Sequence, residues 1–150
     1  MNIEKVRILE IAHARHPDDD DAFRRCAEWM AGFSGVHVSF KPTVDHIVQA
    51  TAKRFDMEPD VLYGDARAQR IVIPRHLVCH VAHECFGHGL AHIGRELGGR
   101  DHTTILHALR TVQVHAERDR TYPDHIQHIA DRAMEISVAE ANARFGERAA

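Results

Sequence analysis

Residues 98–107 read Gly-Gly-Arg-Asp-His-Thr-Thr-Ile-Leu-His and gather the densest chemistry in the chain. Gly98 and Gly99 give a sharp turn that can use positive φ, and Asp101 then stands where a helix N-cap would. There its carboxylate accepts from the backbone N–H of Thr103 or Thr104. The first helical turn so begun carries a carboxylate, an imidazole and two hydroxyl-plus-methyl side chains: Asp101, His102, Thr103 and Thr104. Such groups suit base-pair edges. A carboxylate accepts from cytosine N4, a hydroxyl bonds several bases, and a threonine methyl meets that of thymine. The positive end of the helix and Arg100 beside it favour phosphate. Near phosphate a bare Asp101 is repelled unless it reads a donor.

Two helices must hold this tip. Leu90, Ile93 and Leu97 recur at i, i+3, i+7 before the glycines, and Ile105, Leu109 and Val112 at i, i+4, i+7 after them. Two short amphipathic helices joined by a tight turn outline a helix-turn-helix. The second should continue to about Arg118.

Earlier in the chain, residues 1–14 read as a helix with an imperfect face of Ile3, Val6, Leu9 and Ile11. After Pro17, four aspartates, Asp18 to Asp21, precede Phe23, Cys26, Ala27 and Met30. Acidic groups favour a helix start, and cation coordination is the alternative. Residues 32–42 read as a linker or short extended segment. Thr43 is placed to cap a helix with apolar positions Val44, Ile47, Val48, Thr51, Ala52 and Phe55. Glu58-Pro59-Asp60 opens a short helix that Gly64 ends, with Val61, Leu62 and Tyr63 toward the core. Arg67 and Arg70 then fall in a polar loop. Pro74 suits a first helical position. The helix it opens leaves Arg75 exposed and buries Leu77, Val78, Val81, Ala82 and Cys85, and Gly87 and Gly89 break it. Near the end, Tyr122-Pro123 breaks the chain and Asp124 caps a last helix. That helix carries a stripe of Ile126, Ile129, Ala130, Ala133 and Ile136, and it frays from Ala139.

The Gly-Gly-Arg-Asp-His-Thr-Thr core, with Ile71-Val72-Ile73-Pro74-Arg75 and the helix at residues 47–55, resembles the C-terminal DNA-binding domain (domain IV) of the bacterial replication initiator DnaA. The resemblance covers residues 44–114, and its seven-residue core is highly specific. It implies a mainly α fold of the Trp-repressor-like helix-turn-helix type. It also implies major-groove reading by Asp101, His102 and Thr103 with Thr104 close by, and phosphate contacts from Arg75 and Arg100. In that family the loop before the Pro-Arg helix inserts an arginine into the minor groove, and ungapped counting back from Pro74 gives Arg67. An arginine in a narrow A·T-rich groove reads shape and potential. His76 stands where the family commonly has glutamine and His83 where it often has lysine, departures that bear on the strength of backbone binding and need not alter which sequence is read.

Charge and composition bound the alternatives. The net charge of -3 is not that of an indiscriminate nucleic-acid binder. Residues 1–42 carry 6 basic and 7 acidic side chains, 43–118 carry 9 and 9, and 119–150 carry 4 and 6. From Arg67 to Arg110 six arginines face three acids, so DNA should bind there. Of 14 histidines, His76, His80, His83, His88, His92, His102, His107 and His115 fall in or beside this half, which predicts an affinity that rises as pH falls. His80, His83, Glu84, His88 and His92 raise a zinc alternative. A zincin needs His-Glu-x-x-His, whereas His83-Glu84 is followed by His88 beyond Gly87, so surface histidines are the expectation. Cys26, Cys79 and Cys85 are odd in number and lack CxxC spacing, so they read as reduced core residues.

The organisation expected is an N-terminal helical extension and linker (1–42), the DnaA domain IV-like domain (43–118), and a C-terminal helix and tail (119–150). No Gly-x-x-x-x-Gly-Lys-Ser/Thr and no recognisable nucleophile-base set occurs, so a non-enzyme without cofactor, catalytic residue or metal is expected. No apolar run approaches a membrane span and no signal pattern opens the chain, which suggests a cytoplasmic, nucleoid-associated protein. The function expected is sequence-specific binding of double-stranded DNA at DnaA-box-like sites resembling TTATCCACA. Its consequence would be competition with the initiator, or regulation of transcription. The alternatives are an adaptor that binds a replication protein through residues 1–42 and, behind it, a His-rich metal-binding protein.

Overall fold

The computed structural model describes residues 41–149, with side chains described to residue 143. The two helices and the extended segment expected before Lys41, with the adaptor surface there and Cys26, lie outside the described residues.

The first described helix, α1 (Val44–Arg54), starts at Thr43 as expected, through a capping box whose far member is a histidine. Thr43 Oγ1 accepts from His46 N at 3.2 Å, and Thr43 N donates to His46 Nδ1 at 3.1 Å. A glutamate usually fills this N3 position. Since Nδ1 accepts, the imidazole proton sits on Nε2, which donates to Glu140 at 2.5 Å. Val44, Ile47, Val48, Ala50, Thr51 and Ala52 are all buried, so α1 presents an apolar surface round most of its girth. Helix α2 (Pro59–Tyr63) opens with Pro59 and ends at Gly64, as the sequence suggests. Five residues cannot sustain a helix unaided. Leu62 pins it in the core, and the Tyr63 hydroxyl donates to Asp45 at 2.6 Å.

Helix α3 (Gln69–His80) begins five residues before Pro74, so Arg70 is helical and Pro74 is internal. An internal proline forfeits one backbone bond and crowds the carbonyl four residues back. Here the earlier start brings Ile71 into the core along with Pro74, Leu77 and Val78, and apolar burial decides the matter. The helix runs on into a π-helical turn, Val81–Cys85. The wider turn shifts the helical phase of its own later residues, so Cys85 is exposed, not buried as the 3.6-residue spacing predicts. Cys79 is buried, and burial pushes its thiol up to about 12.

Gly87, at φ 69°, ends the turn. His88 is buried and its Nε2 donates to Pro42 O at 2.7 Å, which ties this loop to the entry of α1. Helices α4 (Leu90–Glu96) and α5 (His102–Arg118) form the helix-turn-helix, the latter with the expected end. Helix α6 (Thr121–Ala149) starts earlier than expected. Asp119 Oδ1 accepts from Thr121 N at 2.9 Å and from its hydroxyl at 2.7 Å, so Asp119, not Asp124, serves the helix start. Pro123 sits harmlessly in the first turn, where its missing N–H has no helical partner to lose. Ile129, Ala130 and Ala133 are buried against the core and α6 packs on α1. It remains helical past Ala139, where fraying was expected, and Glu140 is bonded to His46 there. The described part is helical and holds no strand.

Candidate nucleic-acid interface

Asp101 caps α5 as the sequence predicts, Oδ1 accepting from Thr103 N at 3.1 Å. The same Oδ1 lies 2.9 Å from His102 Nδ1, and the two side chains are 64% and 65% exposed. Thr103 and Thr104 are exposed as well, while Ile105, Ala108, Leu109 and Val112 on the opposite side are buried. One face anchors the helix and its first turn projects an acceptor, an imidazole and two hydroxyls into solvent.

Backbone contact fixes how the turn delivers that tip. A Cβ on Gly94 would lie 2.1 Å from the carbonyl oxygen of Arg100, and Arg100 N donates to Gly94 O at 2.7 Å. The turn thus closes onto α4 at van der Waals range, which only a hydrogen side chain permits. Gly98 is constrained twice: φ is 78°, and an added Cβ would meet Tyr63 O at 2.5 Å. The helix-turn-helix is therefore seated directly on the C-terminal end of α2.

Two guanidinium groups complete that seat. Arg75 was expected to be exposed and to touch phosphate; it is instead 7% exposed. Its Nε donates to Leu62 O at 3.0 Å, Nη1 to Ala66 O at 2.9 Å, and Nη2 to Gly64 O at 2.8 Å and Val61 O at 3.3 Å. With its fork committed to carbonyls inside the domain, a phosphate role for Arg75 is not supported. The reason is its place on α3: Ile71, Val78 and Cys79, one turn either side, are all buried, so Arg75 lies on the inward stripe. Burial first, then the Arg100 cation, push its pKa down.

Arg100 is half-buried and also turned inward. Its Nη2 donates to Gly64 O at 2.5 Å, and its Nη1 bonds Leu97 O and, at 3.4 Å, Tyr63 O. Arg67 lies between these elements in the α2–α3 loop, exposed, as the sequence predicts. His76 is half-buried against His107, ring centroids 6.2 Å apart and edge to face. Burial above all, and then the neighbouring His107, Arg75 and His115, hold its pKa below the ordinary value. His83 is half-buried, and its Nδ1 donates to His88 O at 2.8 Å, which leaves Nε2 for any outside partner.

The expected tip and Arg67 are therefore presented, while the arginine seat and the close approach at Gly94 went unforeseen. Each had a signal: Arg75 falls in the apolar phase of its helix, and a glycine within the periodic stretch of residues 90–97 needs a packing reason. Among the described residues no three His, Cys, Asp or Glu side chains gather as a metal site. No described helix is long and apolar enough to cross a membrane.

Comparison with known proteins agrees with this architecture. Residues 44–112 match the family described as bacterial dnaA protein helix-turn-helix. Similar proteins include the chromosomal replication initiator protein DnaA of Thermus thermophilus, 40% identical over 74 residues, 49% of this chain and 17% of the relative. The DnaA of Lacticaseibacillus casei is 42% identical over 66 residues, 44% of this chain and 15% of the relative. That of Cutibacterium acnes is 34% identical over 90 residues, 60% of this chain and 18% of the relative. The chain thus spans less than a fifth of the length of these relatives. Glycine-hinged, seated on α2 and led by its Asp-His-Thr-Thr tip, the segment 44–112 is similar to the bacterial DnaA helix-turn-helix and makes this chain DnaA domain IV-like over that stretch.

Proposed function

We propose that this chain binds double-stranded DNA at DnaA-box-like sites, with the first turn of α5 in the major groove and Arg67 in the adjacent minor groove. The observation that carries this reading is the display of Asp101, His102, Thr103 and Thr104 on a capped helix tip, with an exposed arginine on the neighbouring loop. Hydroxyl, imidazole and carboxylate groups at a helix N-terminus match the donors, acceptors and thymine methyls of the wide groove, and the helix dipole favours the flanking phosphates. His76 and His83 stand where the family contacts the DNA backbone, and protonation of His76 would add phosphate attraction. Arg75 has no part in direct contact.

A box held by this chain is closed to the initiator. The function is therefore regulatory: restraint of replication initiation by competition, or control of transcription where such boxes lie in promoters. Titration of a labelled box duplex against a scrambled one should show a preference of about a hundredfold or more, a threshold set below the roughly thousandfold that begins the usual range of sequence-specific discrimination. Equal, weak binding to both would discard the reading in favour of an adaptor that contacts a protein partner through residues 1–42.

A further inference from the structure

Arg75 and Arg100 converge on one short piece of backbone. Between them they bond the carbonyl oxygens of Val61, Leu62, Tyr63, Gly64 and Ala66, and both reach Gly64 O. Helix α2 is too short to satisfy its own C-terminal carbonyls, and no left-handed glycine caps it, since Gly64 has φ -79°. Two planar forks take over that task. Bringing two like charges together is costly, and charge-assisted bonds to the negative end of a helix offset it.

The positions of the two arginines give the arrangement its meaning. Ala66, held by Arg75, immediately precedes Arg67. Arg100, held to Tyr63 and Gly64, immediately precedes Asp101, the cap of α5. The same few carbonyls thus anchor the chain one residue ahead of each proposed reading element.

We propose that Arg75 and Arg100 are positioning residues, a paired guanidinium clamp that fixes the distance between Arg67 and the tip of α5, and not phosphate ligands. The clamp sets the spacing at which minor-groove and major-groove contacts can be made together, so it determines specificity without touching DNA. This rests on the DNA-binding reading above.

Arg100 is the one to test, because it is half-exposed and its loss is less damaging to the fold than that of buried Arg75. The full chain would carry Arg100→Lys, Arg100→Met, Arg67→Ala and the double variant Arg67→Ala with Arg100→Met. Affinity for box and scrambled duplexes would be measured over a salt series. The clamp predicts that Arg100→Lys, which keeps the charge but loses the fork, costs about tenfold or more on the box. It predicts an unchanged salt dependence for Arg100→Met, and less than about twofold extra loss when that change is added to Arg67→Ala. Binding by Arg100→Lys at the wild-type level would overturn the clamp. So would a salt slope lowered by about 0.9 in Arg100→Met, the mark of one lost phosphate contact. A wild-type chain with no preference for the box would overturn the DNA-binding reading itself and the clamp with it, an outcome distinct from either of these.

Discussion

The two sides of this domain are held by different chemistry. On the side away from the reading tip, α1 and α6 pack through Ile47, Val48, Ile129, Ala130 and Ala133, all nearly or wholly inaccessible to solvent, with His46 and Glu140 bonded at the edge. On the reading side, the turn before α5 meets α4 through backbone contact at Gly94 and α2 through Gly98 and the Arg100 guanidinium, and Arg75 of α3 bonds the same end of α2. An apolar seam tolerates small slippage, because dispersion and water exclusion are not directional. Hydrogen bonds from a planar fork are directional and define position. The domain uses the forgiving chemistry where only stability is at stake and the directional chemistry where a side chain must be delivered to a place.

That contrast can be broken at either side. The largest effect is expected from Gly94→Ala: with 2.1 Å to a backbone carbonyl, α4 and the turn must separate, at a cost of more than about 3 kcal/mol. Chemical denaturation would measure it, and a loss below about 1 kcal/mol would show that the turn does not rest on α4. Ile129→Ala at the back should remove about 3 kcal/mol of stability, as large-to-small changes in a closed core do. The box-to-scrambled ratio of the folded protein should stay the same; a changed ratio would mean that the seam also sets the reading geometry.

Arg67→Ala should do the reverse. Stability should move by less than about 0.5 kcal/mol, as expected for an exposed side chain, while specific binding weakens by about 2 kcal/mol, as for one lost base contact. Fluorescence anisotropy with box duplexes reads this out, and equal losses on box and scrambled DNA would deny Arg67 a role in sequence preference.

The smallest expected effect concerns protons. His76, His80 and His125 all have pKa values lowered from the ordinary 6.5, burial being the largest cause in each. In the window just below that value the unfolded chain binds protons that the folded domain does not, so stability falls as pH drops through it. Phosphate contact has the opposite sign, since protonation assists it. Comparing melting temperatures at about pH 7.5 and about pH 5.5 should show the loss, reduced in His76→Gln. An unchanged pH response in that variant would remove His76 from the account.

The same contrast between local and distant forces separates what is legible along the chain from what is not. The Asp101 cap, the ends of α5 and the glycine-delimited end of α2 are local events set by residues three or four apart, and the amphipathic periods are equally local. Arg75 misleads in sequence because Pro74 next to it signals a helix start, and a nearby first turn would leave Arg75 outside. The helix starts at Gln69 instead, and Ile71 in its first turn is buried. Cys85 misleads for a related reason: one π-helical turn upsets the 3.6-residue count on which its burial is judged.

By itself, then, the sequence determined the helices that follow a clean period, the cap that opens α5 and the composition of its tip, since each depends on neighbours along the chain. Tertiary structure decided where the arginines point and how closely α4, the glycine turn and α2 approach. Those depend on carbonyl groups some ten to forty residues away that no local pattern encodes.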